Sequence, residues 1–226
     1  MWFLDIIANK VTTALENARN EQRELLEWVL EGIADPLAQE IEWTPLVGWW
    51  ASFGTHRLIT NPQGNLEFQA TAFAKMFALL FVVLGVVFDI VVFVNLFDAN
   101  NIGFQSILPL FISTAFTFGW LFMYRWFSRP IVFDKQLGYF YKGKPQMNLG
   151  LIDPTDKNIV PLSSIHALQI ITERVRTKNT SFLSHEINLI LDDKRRINIV
   201  DHANLTQIHA ESKQLAEYLG VPVWGV

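Results

Sequence analysis

Two long apolar runs dominate the hydrophobic pattern of the chain. They extend over Met76–Phe97 and Phe104–Tyr124, and Asp89 is the only charged residue inside either run. Each run has about 20 residues, the length at which an α-helix crosses a bilayer. A helix satisfies its own backbone hydrogen bonds, which lipid cannot do. The pattern therefore predicts two membrane-spanning helices within residues 73–127, and the alternative is a pair of buried core helices in a water-soluble protein.

The linker between the runs, residues 98–103, is short enough to predict an antiparallel hairpin. Lys75 precedes the first run and Arg125 and Arg129 follow the second, whereas the linker contains no Lys or Arg. Basic residues beside membrane helices remain on the cytoplasmic side. We therefore expect a multi-pass protein of the cell (inner) membrane of a bacterium, with both termini in the cytoplasm.

Asp89 is the most informative single residue of the hairpin. Folding the hairpin about residues 100–101 brings Asp89 to the depth of Ser113 and Thr114, whose hydroxyl groups can bond a carboxylate. A charged side chain inside a membrane helix usually faces a polar partner. The predicted role is a helix–helix contact within the hairpin, with a contact between protomers or a part in proton or ion movement as the alternatives.

Residues 1–45 are predicted to form an amphipathic helical segment. Apolar side chains recur at close to heptad spacing through residues 1–34, and Asp35-Pro36 ends or kinks the helix there. A second short helix is expected to reach about Ile41. The segment can dock on its own cytoplasmic domain, form a coiled coil with another copy, or lie in the plane of the membrane.

Residues 46–72 carry a predicted β-hairpin. Two strand-like stretches, His56–Thr60 and Asn65–Gln69, flank the turn sequence of residues 61–64. They lie on the same predicted side of the membrane as the C-terminal region. We expect them to pack on its sheet or extend it.

From residue 128 onward the pattern changes to period two, which is typical of strands. In the last of these strands Ile197 and Ile199 alternate with polar residues, which predicts one water-exposed face. The predicted strands are Ile131–Phe133, Gly138–Lys142, Asn158–Val160, Ile165–Arg176, Ser184–Leu191 and Arg195–Val200.

A helix follows the strands and ends the chain. Asn204 and Gln207 have the spacing of a capping box, and Gly220 suits the position after the last turn. The residues predicted to face inward are Leu205, Ile208, Ser212, Leu215 and Leu219.

The C-terminal region resembles the bacterial membrane proteins that join a transmembrane hairpin to a pleckstrin-homology-like (PH-like) domain. The resemblance covers Pro130–Trp224, and it is carried by the element order, by the entry Ile-Val-Phe-Asp-Lys135 and by the ending Leu-Ala-Glu-Tyr-Leu-Gly-Val-Pro-Val-Trp224. It implies an α+β membrane protein whose residues 128–226 form a curved antiparallel sheet of about six strands, closed by the C-terminal α-helix. No catalytic residues come with this resemblance.

Composition and motifs narrow the function classes further. The net charge of −4 argues against a nucleic-acid binder, and the absence of cysteine excludes disulfides and thiolate chemistry. The sequence contains no HExxH or His-x-His metal-binding motif, no Walker A or G-x-G-x-x-G nucleotide-binding loop and no G-x-S-x-G nucleophile motif. We expect no enzyme activity, no cofactor and no metal, with the five histidines at the surface and Asp192 and Asp193 as turn formers.

Two short basic stretches in the C-terminal region are the best candidates for a binding site. Basic side chains near an anionic surface attract acidic partners or lipid headgroups. The alternative is a solvated rim paired with Glu173, Asp192 and Asp193. The candidate residues are Arg174, Arg176, Lys178, Lys194, Arg195 and Arg196.

Two functional hypotheses follow from these observations. The first is a non-enzymatic, membrane-anchored interaction module in which the hairpin holds the PH-like domain at the membrane to bind a protein or a lipid headgroup. The second is a self-assembling membrane component, such as a toxin-immunity or transport accessory protein, that acts through the hairpin and Asp89. The expected partners are the lipid bilayer and a protein or a second copy of the chain.

Overall fold

The chain has a mixed α+β fold with two long apolar helices and two β-sheets. The computed structural model describes residues 27–47, 56–98, 104–143, 159–176 and 181–225, with the backbone alone at 96–98, 104–106 and 176. Of the helix predicted over residues 1–34, residues 1–26 lie outside the described residues and residues 27–31 are helical. The further helices are α1 (Pro36–Glu40), α2 (Ala72–Asp98), α3 (Phe104–Phe127) and α4 (Leu205–Leu219), and the strands are β1 (His56–Thr60), β2 (Leu66–Ala70), β3 (Ile131–Asp134), β4 (Tyr139–Lys142), β5 (Ile159–Pro161), β6 (Ile165–Arg176), β7 (Ser181–Leu191), β8 (Arg196–His202) and β9 (Val223–Trp224).

Helices α2 and α3 pack against each other and expose most of their apolar side chains. Their most apolar parts, Ala72–Asn95 and Ile107–Phe127, are long and apolar enough to cross a membrane. In their most apolar windows only 11% and 6% of the residues are buried within the protein. A core helix of a water-soluble protein would be mostly buried, whereas these two helices leave most of their apolar side chains exposed.

The first sheet has the strand order β1-β2-β3-β4-β5, and every neighbouring pair is antiparallel. Strand β2 ends at Ala70, just before α2, and β3 begins at Ile131, just after α3. The two strands pair directly, with Leu66 opposite Phe133 and Phe68 opposite Ile131. The helical hairpin is therefore an insertion between two adjacent strands of one sheet.

The second sheet has the strand order β8-β7-β6-β9. Strands β6, β7 and β8 are antiparallel, and the short β9, which the sequence did not predict, runs parallel to β6 with Val223 opposite Leu168. The expected single curved sheet is therefore two sheets. The chain passes from one to the other through the 3₁₀ turn Leu162–Ser164, which separates β5 from β6.

The main core lies between the two sheets and α4. The side chains that fill it come from alternate positions of the strands and from one face of the helix, as a half-buried strand and an amphipathic helix require. A bulge between Ile165 and Ala167 interrupts the alternation of β6, so Ile165 lies in the main core together with Leu168 and Ile170. The largest fully buried members include Phe68, Phe133, Phe140, Leu168, Ile187, Leu189, Ile208 and Leu215.

Helix α4 begins and ends where the sequence predicts. The Asn204 Oδ1 atom accepts a 3.2 Å hydrogen bond from the Gln207 amide, and Gly220 has a left-handed φ of 75°. The inward face differs from the prediction in two details: Leu205 is 37% exposed, and Glu211 is buried. The Gln207 side chain donates to Glu211 rather than back to the cap, so the capping box is incomplete.

The outer face of the second sheet is covered by residues 27–47, which we call the N-terminal strap. This contradicts the predicted water-exposed face of β8, because the Arg196 side chain there is only 8% exposed. Sequence patterning missed the cover because it comes from a segment about 150 positions away. A small apolar cluster of Ala38, Ile41, Ala167, Ile190 and Trp224 joins the strap to the sheet.

Candidate functional site

The polar contact inside the helical hairpin centres on Asp89. Its Oδ2 atom accepts a 2.8 Å hydrogen bond from Thr117 Oγ1, and its Oδ1 atom accepts a 3.3 Å bond from Thr114 Oγ1. The Ser113 hydroxyl faces the same carboxylate and lies 3.0 Å from the Leu110 carbonyl, to which it can donate. The structure thus brings together the three predicted residues and adds Thr117, one helical turn further along α3.

Gly85 allows the two helices to approach each other at this contact. A Cβ atom at position 85 would lie 2.4 Å from Thr117 Oγ1 and 3.2 Å from Thr117 Cα. A glycine at such a point lets two backbones come close, as small residues do in membrane helix pairs. Gly85 and Thr117 therefore set the spacing at which Asp89 meets its hydroxyl partners, and neither was predicted for this role.

Two of the predicted basic candidates contact the N-terminal strap. The Lys194 Nζ atom forms an ion pair with Glu40. The Arg196 guanidinium donates a 2.8 Å hydrogen bond to the Thr44 carbonyl and lies 3.5 Å from a carboxylate oxygen of Glu42. These side chains therefore have acidic or carbonyl partners within the chain.

The other basic candidates are dispersed. Arg195 pairs with Asp193, two positions before it, at 2.6 Å. Arg174 is exposed near the end of β6. Only the backbone of Arg176 is described, and Lys178 lies outside the described residues. The structure does not gather the six residues into one described cluster.

The β7–β8 turn that holds Asp192 and Lys194 lies at the end of the fold remote from α2 and α3. Strand β3 leaves the helices, and the turn after it ends at Gly138. The Gly138 carbonyl accepts a bond from the Leu162 amide, and the Ser164 carbonyl accepts one from the Asp192 amide. This chain of contacts places the β7–β8 turn at the far end of β3 and β4, away from the helical hairpin.

His166 fastens the middle of the N-terminal strap, just before α1, to the sheet. Its Nε2 atom lies 2.7 Å from an Asp35 carboxylate oxygen, and its Nδ1 atom lies 3.3 Å from Asp192. The hydrogen bond to Asp35 raises the pKa of His166 and lowers the pKa of Asp35. Two carboxylates therefore favour the charged imidazolium at this position, since opposite charges stabilise the ionised form.

Glu186 fastens the C-terminal end of the strap. Its buried carboxylate accepts hydrogen bonds from the Leu46 amide at 2.9 and 3.1 Å and from the Val47 amide at 3.1 Å. The Asn188 side chain donates to the same carboxylate. No local sequence signal marks this contact, because its partners are separated by 139 or 140 positions.

Two histidines predicted to be at the surface are buried instead. His185 and His202 face each other across β7 and β8 and are 2% and 5% exposed. Burial lowers the pKa of both, so the neutral forms are favoured. His185 contacts the Thr172 hydroxyl at 2.8 Å, and His202 accepts a bond from the Asn204 amide. No group of His, Asp or Glu suited to a metal ion is found among the described residues.

His56 joins the first sheet to the end of the helical hairpin. The imidazole donates to the backbone carbonyl of Phe127, the last residue of α3. Burial lowers the pKa of His56 to about 4, and the nearby Lys142 and Lys75 act in the same direction. A neutral His56 therefore holds the end of α3 against the start of β1.

A shallow groove runs between α4 and the segment leading into β9. Its volume is about 490 Å³. Its floor is apolar and its rim carries one basic and one acidic side chain, Lys213 and Glu217, both exposed. The residues that line it are His209, Ser212, Lys213, Ala216, Glu217, Gly220, Val221 and Val223.

The described residues therefore offer a polar contact within the hairpin, a strap held on the second sheet, and an open groove beside α4. No protein-family model matches the chain, and comparison with curated proteins and with solved structures finds no match either.

Proposed function

We propose that the protein is a non-enzymatic, membrane-anchored interaction module. The hairpin of α2 and α3 crosses the cytoplasmic membrane twice, and the two-sheet domain with α4, whose plan is PH-like, stands at the inner surface to bind a protein partner. The observation that carries this proposal is the exposed apolar surface of two adjacent long helices inserted between paired strands of a well-packed sheet. Such a joint fixes a folded domain directly at the foot of the helices.

The orientation of the proposal rests on the distribution of charge along the hairpin. Lys75, Arg125 and Arg129 lie at the end joined to the sheets, and the linker of residues 98–103 has no basic residue. Basic residues are retained on the cytoplasmic side. Both termini and both sheets are therefore assigned to the cytoplasm.

Membrane integration and topology are tested together. We expect the full-length protein to remain in the membrane fraction at alkaline pH and to need detergent for extraction. Alkaline phosphatase inserted after Asn100 should be active, and green fluorescent protein fused after Val226 should fluoresce. Recovery of a monodisperse protein without detergent, or the reverse reporter pattern, would overturn the proposal.

The groove beside α4 is the best candidate for the partner-binding surface. It is a concave surface that combines an apolar floor with charges at its rim. A photo-crosslinking amino acid at Lys213 or Glu217 should yield a defined adduct in cells. The control position is Thr206, exposed in the first turn of α4 and outside the groove. Equal adducts at all three positions, or none, would remove the groove from the proposal.

A further inference from the structure

Three basic side chains lie at the end of the helical hairpin that joins the sheets. Lys75 is in the first turn of α2, Arg125 is in the last turn of α3, and Arg129 follows α3 by two residues. Because α2 and α3 are antiparallel, these three positions lie at the same end of the hairpin. Arg125 and Arg129 are exposed, and Lys75 is half-buried.

Arg57 joins this group from the first sheet, although nothing in the sequence marks it. It lies on β1 opposite Gln69 and is exposed. With Thr71 and Ala72 it lines a concavity of about 230 Å³ at the start of α2. The pairing of β1 with β2 thus places Arg57 beside the N-terminal end of α2. We call Arg57, Lys75, Arg125 and Arg129 the basic collar.

Arg129 is held against an aromatic ring of the kind found at bilayer surfaces. Its guanidinium carbon lies 4.8 Å from the centre of the Trp126 ring, within the range of a cation–π contact. Tryptophan is enriched where membrane helices meet the headgroup layer. In a hairpin that crosses a membrane, this contact would hold the Arg129 charge at the depth of the lipid phosphates.

The collar has no carboxylate partner in the part of the chain that the structure describes. Among the described residues, none of its four members forms an ion pair with a carboxylate, whereas Lys194, Arg195 and Arg196 at the remote end each do. The charges that act on His56, between the sheet and α3, are those of Lys142 and Lys75, and both are positive. Lys142 is not counted in the collar because its ammonium donates to the Asn198 carbonyl at 2.6 Å.

We propose that the basic collar binds the phosphate groups of anionic phospholipids in the inner leaflet. This inference rests on the proposed function, because it needs α2 and α3 to lie in a membrane. It goes further by naming the lipid class and by placing headgroup contact at the collar rather than at the predicted residues of the β7–β8 turn. A basic residue near an anionic lipid surface contributes roughly fivefold in affinity, so two of them contribute about 30-fold.

The test uses the full-length protein purified in a neutral detergent. Phosphatidylglycerol, phosphatidylcholine or inorganic phosphate is titrated in, and binding is followed by native mass spectrometry and by the shift in Tm. The variant replaces Arg57 and Arg129 together by glutamine. The control is Arg195→Gln, which removes an exposed arginine at the remote end of the fold.

The wild type and Arg195→Gln should bind phosphatidylglycerol in preference to phosphatidylcholine, and the double variant should bind it about 30-fold more weakly. A second double variant, Arg57→Lys with Arg129→Lys, should retain most of the binding. It shows whether weaker binding by the glutamine variant reflects the lost charge or a folding defect. Equal binding by the glutamine variant, equal binding of both lipids, or an equal response to inorganic phosphate would overturn the inference. Release of the protein from the membrane fraction at alkaline pH overturns the proposed function instead, so the two failures are distinguished.

Discussion

The hydroxyl group of Thr117 donates a 2.8 Å hydrogen bond to the carboxylate of Asp89, across the interface between α2 and α3. The same hydroxyl lies 3.0 Å from the Ser113 carbonyl, one turn earlier in its own helix. Asp89 therefore finds its partners inside one hairpin. This arrangement favours the interpretation of Asp89 as an intrahairpin contact over a contact between protomers.

Removing the Thr117 hydroxyl should weaken the hairpin. Thr117→Val keeps the shape of the side chain and eliminates the donor, so one carboxylate oxygen of Asp89 loses its partner while the bond from Thr114 remains. We expect a lower Tm for the full-length protein in detergent micelles and an unchanged oligomeric size. Thr117→Ser retains the hydroxyl and serves as the control. A valine variant that melts with the wild type would show that the bond adds nothing to stability.

The two hairpin glycines should respond very differently to alanine. At Gly85 an added Cβ would lie 2.4 Å from Thr117 Oγ1, whereas at Gly119 nothing lies within 4 Å. We expect Gly85→Ala to lower the stability of the hairpin by about 1–3 kcal/mol, the usual cost of overpacking. Gly119→Ala should leave stability nearly unchanged. The comparison is made by thermal unfolding in the same detergent, and equal effects would contradict the close approach.

Local sequence signals were sufficient for those elements whose determinants are local. The long helices follow from hydrophobic length, and α4 follows from Asn204 and Gly220. Prediction failed where a residue's environment comes from a distant segment. Glu211 faces inward because its carboxylate accepts a 3.1 Å bond from the Leu58 amide of β1, 153 positions away. No residue pattern within α4 indicates that the Glu211 carboxylate accepts this bond.

The candidate site shows the same limit. The sequence of the hairpin predicted a contact between Asp89, Ser113 and Thr114. The additional contact with Thr117 depends on how closely Gly85 allows the two helices to approach, which the sequence pattern does not give. The sequence analysis selected the basic residues of the β7–β8 turn by their charge. It could not predict their partners in the N-terminal strap, because the strap and the turn meet only in the folded domain.

Glu186→Ala should release the end of the N-terminal strap. The mutation removes a buried carboxylate that accepts bonds from the Leu46 and Val47 amides. Hydrogen bonds to charged groups each stabilise by about 1.5–3 kcal/mol. We expect faster amide hydrogen exchange over residues 36–47, with the core of β7 little affected. Glu173→Gln, on the neighbouring strand β6, provides the control, and unchanged protection at residues 46 and 47 would contradict this role of Glu186.

The strap segment around Asp35 should become less protected as pH rises. Hydrogen bonding to Asp35 raises the pKa of His166 in the folded protein. A raised pKa means that the contribution to stability is complete below the unfolded value of about 6.5 and is lost as pH increases through the folded value. Hydrogen-exchange protection factors near Asp35 should therefore fall across that range. In His166→Gln they should be lower at acidic pH and insensitive to this transition, and a parallel pH profile in both proteins would refute the assignment.

His56 and Asp201 should oppose each other in the acid stability of the domain. Burial lowers the pKa of His56 to about 4 and raises the pKa of Asp201 to about 6. Neutral His56 contributes its full stability above pH 6.5, and this contribution is lost as pH falls to 4. Asp201 contributes its full stability below pH 3.8, and this contribution is lost as pH rises through 6. Each effect amounts to about 3 kcal/mol over its range, because one pKa unit corresponds to about 1.4 kcal/mol. Relative to the wild type, His56→Gln should gain stability on acidification from pH 6.5 to 4, and Asp201→Asn should lose it. Chemical unfolding in detergent at several pH values measures both differences, and two variants that shift in the same direction would disprove the opposition.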